Sequence, residues 1–281
     1  MYVMKTAGMT DTGRVRSNNE DAYSINNSLL IVADGMGGAA AGEIASSLAI
    51  KTISEALKHI SYTKDDEVTH AVTRAILKAD KEIKKQTDRH PEYFGMGTTL
   101  VVSLHFDTRV LIGNVGDSRA YLITTSPAGS SSSSSDTNKT VDASAQTAVL
   151  SAIDESEEEK KEHRAHIRRI TEDHSVVMEL VRSGIISEEE IRIHPLRNRI
   201  TRCVGSLHKE EPDFTWLDIH DDDVLVMCSD GLWELVHEDI ILAIVSSSQN
   251  PEEMCSRLID AANSAGGVDN ITVIAAQFLR E

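Results

Sequence analysis

Three things are scarce in this chain, and each scarcity excludes something. Cysteine occurs only at Cys203, Cys228 and Cys255. The three lie far apart and form no CxxC, which argues against a disulfide scaffold or a zinc ribbon and points to a reducing compartment. Basic residues number 28 against 45 acids, a formal charge of -17. A sequence-blind binder of nucleic acid or of an anionic membrane needs a basic surface, so neither partner is expected. Long apolar runs are missing too. No stretch approaches the roughly 18 consecutive apolar residues of a membrane span, and residues 1–23 hold no apolar core of signal-peptide length. The reading is a soluble, cytoplasmic protein.

What is present is ordinary in amount and informative in arrangement. With 281 residues, 40% of them hydrophobic, the chain can bury a sizeable core. Apolar runs bounded by Gly, Asp and Asn predict strands at 29–33, 98–105, 110–114, 120–123, 224–228 and 271–278. Helical spacing appears at 42–59, through Ile44, Leu48, Ile53 and Leu57, and at 66–86, through Val68, Val72, Ile76, Ala79 and Ile83. Shorter helices are expected at 176–183, 188–193, 238–247 and 252–265. Strands that come in blocks favour an antiparallel α+β arrangement over βαβ alternation. Residues 126–164 stand apart. A serine run and the acidic "DESEEEKKEHR" cannot bury apolar surface, so this reads as a flexible insertion, with a short solvated helix conceivable at 155–168.

The stretch "LLIVADGMGG" at 29–38 drives an apolar run into a carboxylate followed by glycines, and "VLVMCSDG" at 224–231 repeats the layout. Gly35-x-Gly37-x-x-Ala40 fits a dinucleotide fingerprint. Against it, Asp34 immediately before the glycines would repel a pyrophosphate, and no acid-ended strand follows about 20 residues on. No GK[ST] follows either, so it is not a P-loop. An Asp-Gly hairpin turn would explain any one such site. It explains the set poorly, because Asp117, Asp230, Asp269 and the pair Glu20–Asp21 also flank apolar strands. Carboxylates converging on one rim would raise one another's pKa unless divalent cations neutralised them. Oxygen-only donors favour Mg²⁺ or Mn²⁺ over Zn²⁺.

Taken in order, "RSNNEDAY", "LLIVADGMGG", "GTTLVVSL", "IGNVGDSRAYL", "TEDHS", "HPLRNRITRCVG", "VLVMCSDGLWELV" and "GGVDNITVIAAQF" resemble the motif series of bacterial type 2C (PPM) metal-dependent Ser/Thr protein phosphatases. The resemblance spans nearly the whole chain apart from the insertion. It implies a single catalytic domain over 1–281, built as a four-layer αββα β-sandwich of two antiparallel sheets flanked by helix pairs. It also implies a flap at 171–205. Carried over residue by residue, Asp34 would bridge two metals, with the Gly35 carbonyl as a further ligand, and Asp230 and Asp269 would complete one shell. Glu20 and its neighbour Asp21 would stand near the second metal, Asp117 would hold a third, weaker ion, and Arg16 would bind phosphate. The implied cofactors are two to three Mn²⁺ or Mg²⁺ ions. The implied reaction is hydrolysis of phosphoserine or phosphothreonine by metal-activated water, with no phosphoenzyme.

Several residues have more than one reading. Met36 stands where eukaryotic relatives place a histidine, and Ala39–Ala41 where bacterial relatives often carry one, so no histidine is at hand to protonate the leaving group. His174 reads as structural, Cys228 as core, and Asn270 as the residue that fixes the loop presenting Asp269. The flap arginines Arg192, Arg197, Arg199 and Arg202 would hold a phosphopeptide or pair with Glu188–Glu190. Expected partners are phosphorylated proteins and a cognate Ser/Thr kinase, and a monomer is the family expectation. Two other functions fit less well: a non-catalytic partner-binding module, which the complete set of acids disfavours, and a phosphohydrolase of small esters, which the flap disfavours.

Overall fold

The computed structural model describes residues 2–37, 41–61, 64–126, 164–207 and 211–281. The insertion predicted at 126–164 falls almost wholly outside them, as do Ala39 and Ala40. The described residues form eleven strands, β1 (Tyr2–Asp11), β2 (Asp21–Asn26), β3 (Leu29–Met36), β4 (Gly97–Thr98), β5 (Leu100–Phe106), β6 (Arg109–Val115), β7 (Arg119–Ser126), β8 (Arg164–Arg169), β9 (Asp213–Asp218), β10 (Val224–Cys228) and β11 (Ile271–Arg280). The α-helices are α1 (Gly42–Leu57), α2 (Asp65–Arg89), α3 (Val176–Arg182), the single turn α4 (Asp230–Trp233), α5 (Glu238–Ser247) and α6 (Pro251–Ser264). One sheet runs β1-β11-β10-β7-β8 and the other β2-β3-β5-β6-β9, with β4 on β3. The described ladders are antiparallel throughout.

Alternation along each central strand sets the layers, because successive side chains point to opposite faces. In β3, Leu29 and Ile31 pack with Ala45, Ala49 and Ile53 of α1 and Val72, Ile76 and Ile83 of α2. Leu30 and Val32 turn inward to meet Leu225 and Met227 of β10 and Ile274 and Phe278 of β11. The other faces of β10 and β11, through Val224, Val226 and Val273, pack on Leu232, Ile241, Cys255 and Leu258. Four layers result: helices, sheet, sheet, helices. Because both faces of β3 and β10 are covered, the runs 29–33 and 224–228 are apolar without interruption.

The differences from the predicted elements have local causes. β1 and β9 have no compact apolar run. Each lies at the end of its sheet's strand order, where one side is unpaired, so sequence pattern marks them weakly. Within the helix conceived for 155–168, residues from Arg164 onward instead form β8, which adds to the edge of β7 and points Ile167 at the core while His166 and Arg168 face solvent. The turn at Glu188–Ile193 is 3₁₀ rather than α, held by a Ser187–Glu190 capping box.

Candidate active site

β3 does not stop at its carboxylate. It continues through Asp34 and Gly35, paired with β2 on one side and with β4 on the other. The Asp34 backbone is clamped by Thr98 and Thr99. Its N–H donates to Thr99 Oγ1 at 3.0 Å, and its carbonyl accepts from Thr99 N–H at 2.8 Å and from the Thr98 hydroxyl at 2.9 Å. Gly35 is needed for another reason than the cleft itself. A Cβ there would lie 2.1 Å from the Gly42 carbonyl and 2.6 Å from that of Glu20, so only glycine lets the strand, the Glu20 turn and the start of α1 meet.

Segments from along the whole chain contribute to one cleft of about 240 Å³. Its walls include Arg16, Glu20, Asp34, Gly35, Met36, Asp117, Asp230, Asp269 and Asn270, with Asn198 and Ile200 reaching in from the segment after α3. Of the predicted acids, Asp21 is the exception, because it lies behind the cleft wall. Its Cα is registered opposite Asp34, and its Oδ2 accepts the Ser229 hydroxyl at 2.7 Å while Oδ1 has no partner. Burial raises its carboxyl to about 6 despite those hydrogen bonds. Burial likewise pushes Asp34 and Asp230 well above the usual carboxylate range. Asp21, Asp230 and Asp117 add to the effect at Asp34, and Asp117 and Asp269 add to it at Asp230. Asp117 rises to about 7, through burial first and then Asp173. Glu20 is also raised by burial, with Glu43 and Asp269 contributing. Arg16 donates to Asp269 Oδ2 at 2.7 Å.

The supporting side chains were mostly not foreseen. Asn270 does more than hold Asp269. Its amide donates to the carbonyls of Thr12 and Asn18, and its Oδ1 accepts from Glu20 N–H at 2.9 Å, so it ties down the whole Arg16–Glu20 loop. Behind Asp117, the buried Arg119 makes a bidentate pair with Asp173 at 2.9 and 2.6 Å and stacks 3.5 Å over Trp233. Such a charge is tolerable inside only because it is paired and stacked. His174 is structural, as expected. Its Nδ1 accepts from Gly116 N–H, which leaves Nε2 to bond Asp213.

The segment that follows α3 is stitched to β4, the neighbour of the Asp34 strand. Thr98 and Val204 exchange backbone hydrogen bonds at 2.9 Å each. Asp80, buried on α2, accepts from Gly205 N–H and Leu207 N–H at 2.8 and 3.0 Å, and Lys84 bonds both Asp80 and the Leu207 carbonyl. The flap arginines pair differently from expectation. Arg197 faces Glu234, Arg192 donates to the Glu234 carbonyl and Arg202 pairs with Asp213, whereas Glu188 is met by Arg169.

A hard divalent cation fits this donor set. Burial and mutual repulsion raise Glu20, Asp21, Asp34, Asp117 and Asp230, the buried Oδ1 atoms of Asp21 and Asp230 lack partners, and all the donors are oxygens. Among the described residues no three such side chains are drawn to metal-holding distance. In comparisons with known proteins, the family model described as Protein phosphatase 2C matches residues 6–271. The Ser/Thr phosphatase stp of Listeria monocytogenes is 35% identical over 95% of this chain and 93% of its own. The Ser/Thr protein phosphatase PstP of Mycobacterium tuberculosis is 33% identical over 98% of this chain, which spans 45% of that longer protein. Among solved structures, Stp1 of Staphylococcus aureus superposes with a TM-score of 0.79 at 30% identity, covering 98% of this chain and 95% of that one. The PstP catalytic domain in complex with two manganese ions gives 0.78 at 29% identity, with both chains fully covered.

Proposed function

The chain belongs to the protein phosphatase 2C family of metal-dependent serine/threonine phosphatases, and we propose that the acidic cleft at Asp34 is its active site. The observation that carries this is the convergence of Glu20, Asp34, Asp117, Asp230 and Asp269 with Arg16 around one cleft. Asp34 with the Gly35 carbonyl, Asp230 and Asp269 would hold one manganese or magnesium ion. Asp34 and Glu20 would serve a second, and Asp117 a weaker third. Asp21, buried beside Asp34 on the neighbouring strand, would orient Asp34 rather than ligate directly. Bound cations supply an acidified water and neutralise phosphoryl charge.

The chain's own residues do the rest. Arg16 presents the planar donors that suit phosphate oxygens, and Asp269 holds it at the cleft until substrate arrives. Among the described residues no free side-chain nucleophile is placed to form a phosphoenzyme, and the cleft-lining Thr99 hydroxyl is engaged with Asp34 N–H and Ser118. The Cys228 thiol is buried in the core and pushed up to about 12 by burial, and the Ser229 hydroxyl is spent on Asp21. Met36 lines the cleft and has no proton to give. Among the described residues no histidine lines it, so water protonates the departing alcohol. The reading extends to a cytoplasmic monomer, one catalytic domain with a flap at 171–205, acting in signalling against a Ser/Thr kinase. No helix among the described residues is long and apolar enough to cross a membrane.

The test is turnover of p-nitrophenyl phosphate and of a phosphothreonine peptide with and without Mn²⁺, with Asp34→Asn as control. Metal-dependent turnover lost in Asp34→Asn is expected. Turnover that survives that change, or that needs no metal, would place the chemistry elsewhere. Faster turnover of phosphorylated metabolites than of the peptide would redirect the substrate class.

A further inference from the structure

One rim of the cleft is built from two loops, 12–16 and 266–269, locked together face to face. Arg14 N–H donates to the Gly267 carbonyl at 2.7 Å, and Arg16 reaches across to Asp269. Gly13 and Gly267 take positive φ of 80° and 52°, and a Cβ at Gly13 would lie 2.2 Å from the Asp269 carbonyl. The same loops are braced from below, since Asn270 donates to the Thr12 carbonyl and Asn263 to Asp11. This rim is therefore rigid before any ligand arrives, and a preformed surface loses little entropy on binding.

The rigid rim holds two apolar side chains out in water. Val15 is 68% exposed and Val268 is 45% exposed. Each is one residue away from a group lining the cleft, Arg16 in one loop and Asp269 in the other. Across the cleft, the segment that supplies Asn198 and Ile200 also carries the part-exposed Leu196. Single exposed valines are common and mean little. Two of them on loops joined by the Arg14–Gly267 hydrogen bond, each next in chain to one member of the Arg16–Asp269 pair, stand on the rim of the cleft rather than in its lining.

We infer that this Val15–Val268 shelf selects the residue flanking the phosphorylated side chain, and that the preferred substrates are phosphoprotein segments with an aliphatic residue next to the phosphoserine or phosphothreonine. The inference rests on the phosphatase reading above. Arg16 takes the phosphate by charge, and the shelf takes the neighbouring side chain by apolar burial. The occupant is an extended segment of a folded or unfolded phosphoprotein, because a small phosphate ester has nothing to lay on the shelf. An acidic neighbour gains nothing from the valines and meets a chain of strongly negative net charge.

The experiment is a set of phosphothreonine peptides identical except for Leu, Ser or Glu at the positions next to the phosphothreonine, assayed for kcat/KM with Mn²⁺. The wild type should favour the Leu peptide over the Ser peptide by about five- to tenfold, less than a closed pocket gives for a comparable change. In the double variant Val15→Ser, Val268→Ser that ratio should fall towards one, whatever happens to the absolute rates. Equal rates on Leu and Ser peptides, a Glu peptide as the fastest (drawn by Arg14), or a ratio unmoved in the double variant would each overturn the inference while leaving the phosphatase reading intact. Failure of the wild type to hydrolyse both the peptides and p-nitrophenyl phosphate would overturn both.

Discussion

The indole Nε1–H of Trp233 donates to the Asp117 carbonyl at 3.0 Å. Trp233 closes the one-turn helix that begins at Asp230, so one side chain links the loops of two cleft acids, and its outer ring face is covered by Arg119. Trp233→Phe keeps most of the apolar volume but removes the donor. We expect weaker Mn²⁺ binding by calorimetry, by about three- to tenfold, and a stability loss of about 1–3 kcal/mol from the unpaired buried carbonyl. Wild-type affinity in that variant would show that Trp233 is packing only.

Asp117 and Asp21 give the metal-free protein a defined pH response. Burial raises their carboxyls to about 7 and about 6 from an ordinary value of 3.8. A raised carboxyl contributes stability that is complete below its unfolded value and is lost as pH climbs through the folded one. In EDTA, this part of the stability should therefore decline between about pH 4 and pH 7, and Asp117→Asn, which cannot ionise, should lose less over that window. Mn²⁺ should raise the wild-type Tm more at pH 7.5 than at pH 5, on the order of 5 °C. Thermal melts across pH, with and without metal, check this. An equal Mn²⁺ effect at both pH values would contradict it.

Arg16 is half exposed, and its pair with Asp269 is correspondingly worth only about 0–1 kcal/mol to the fold. Arg16→Ala should leave Tm nearly unchanged yet reduce kcat/KM on phosphopeptides about 10–100-fold, with Arg16→Lys recovering part of it, because an ammonium keeps the charge but loses the planar fork. A large drop in Tm with little change in kcat/KM would assign Arg16 to structure instead.

Gly35→Ala should fail on steric grounds. The added methyl would meet two backbone carbonyls at 2.1 and 2.6 Å, and backbone on both sides cannot give way cheaply. A cost of about 3 kcal/mol or more is expected, read from denaturant unfolding. A variant within about 1 kcal/mol of wild type would mean that α1 shifts freely relative to β3.

Asp80→Ala should release the Gly205–Leu207 segment from α2. Its carboxylate accepts two backbone N–H groups and the Lys84 ammonium, and removing it leaves those donors without their partner. Faster hydrogen exchange at Gly205 and Leu207, together with a loss of about 1–3 kcal/mol, is the expected result. Unchanged exchange at both amides would show that the Thr98–Val204 bridge alone secures this segment.

The sequence by itself determined the central strands, the long helices and the cleft-lining carboxylates. Their signals are local: a strand covered on both faces must be apolar throughout, an amphipathic helix must repeat every three to four residues, and an acid at the end of such a strand stands out against it. That is why Asp34, Asp117, Asp230 and Asp269 were legible, and why the ordered motifs around them implied the family to which the chain belongs. Edge strands were not legible, because β1, β8 and β9 alternate weakly and take their strand form only from a partner far away in sequence. Nor were the side chains that hold the cleft in place. Tertiary structure alone set Asp21 behind Asp34, gave Asn270 three backbone partners, stacked Arg119 on Trp233, turned the flap arginines to Glu234 and Asp213, and brought Asp80 under Gly205. Each of those contacts joins residues whose individual neighbourhoods carry no mark of it, and hydrogen bonds across such separations leave no period in the chain.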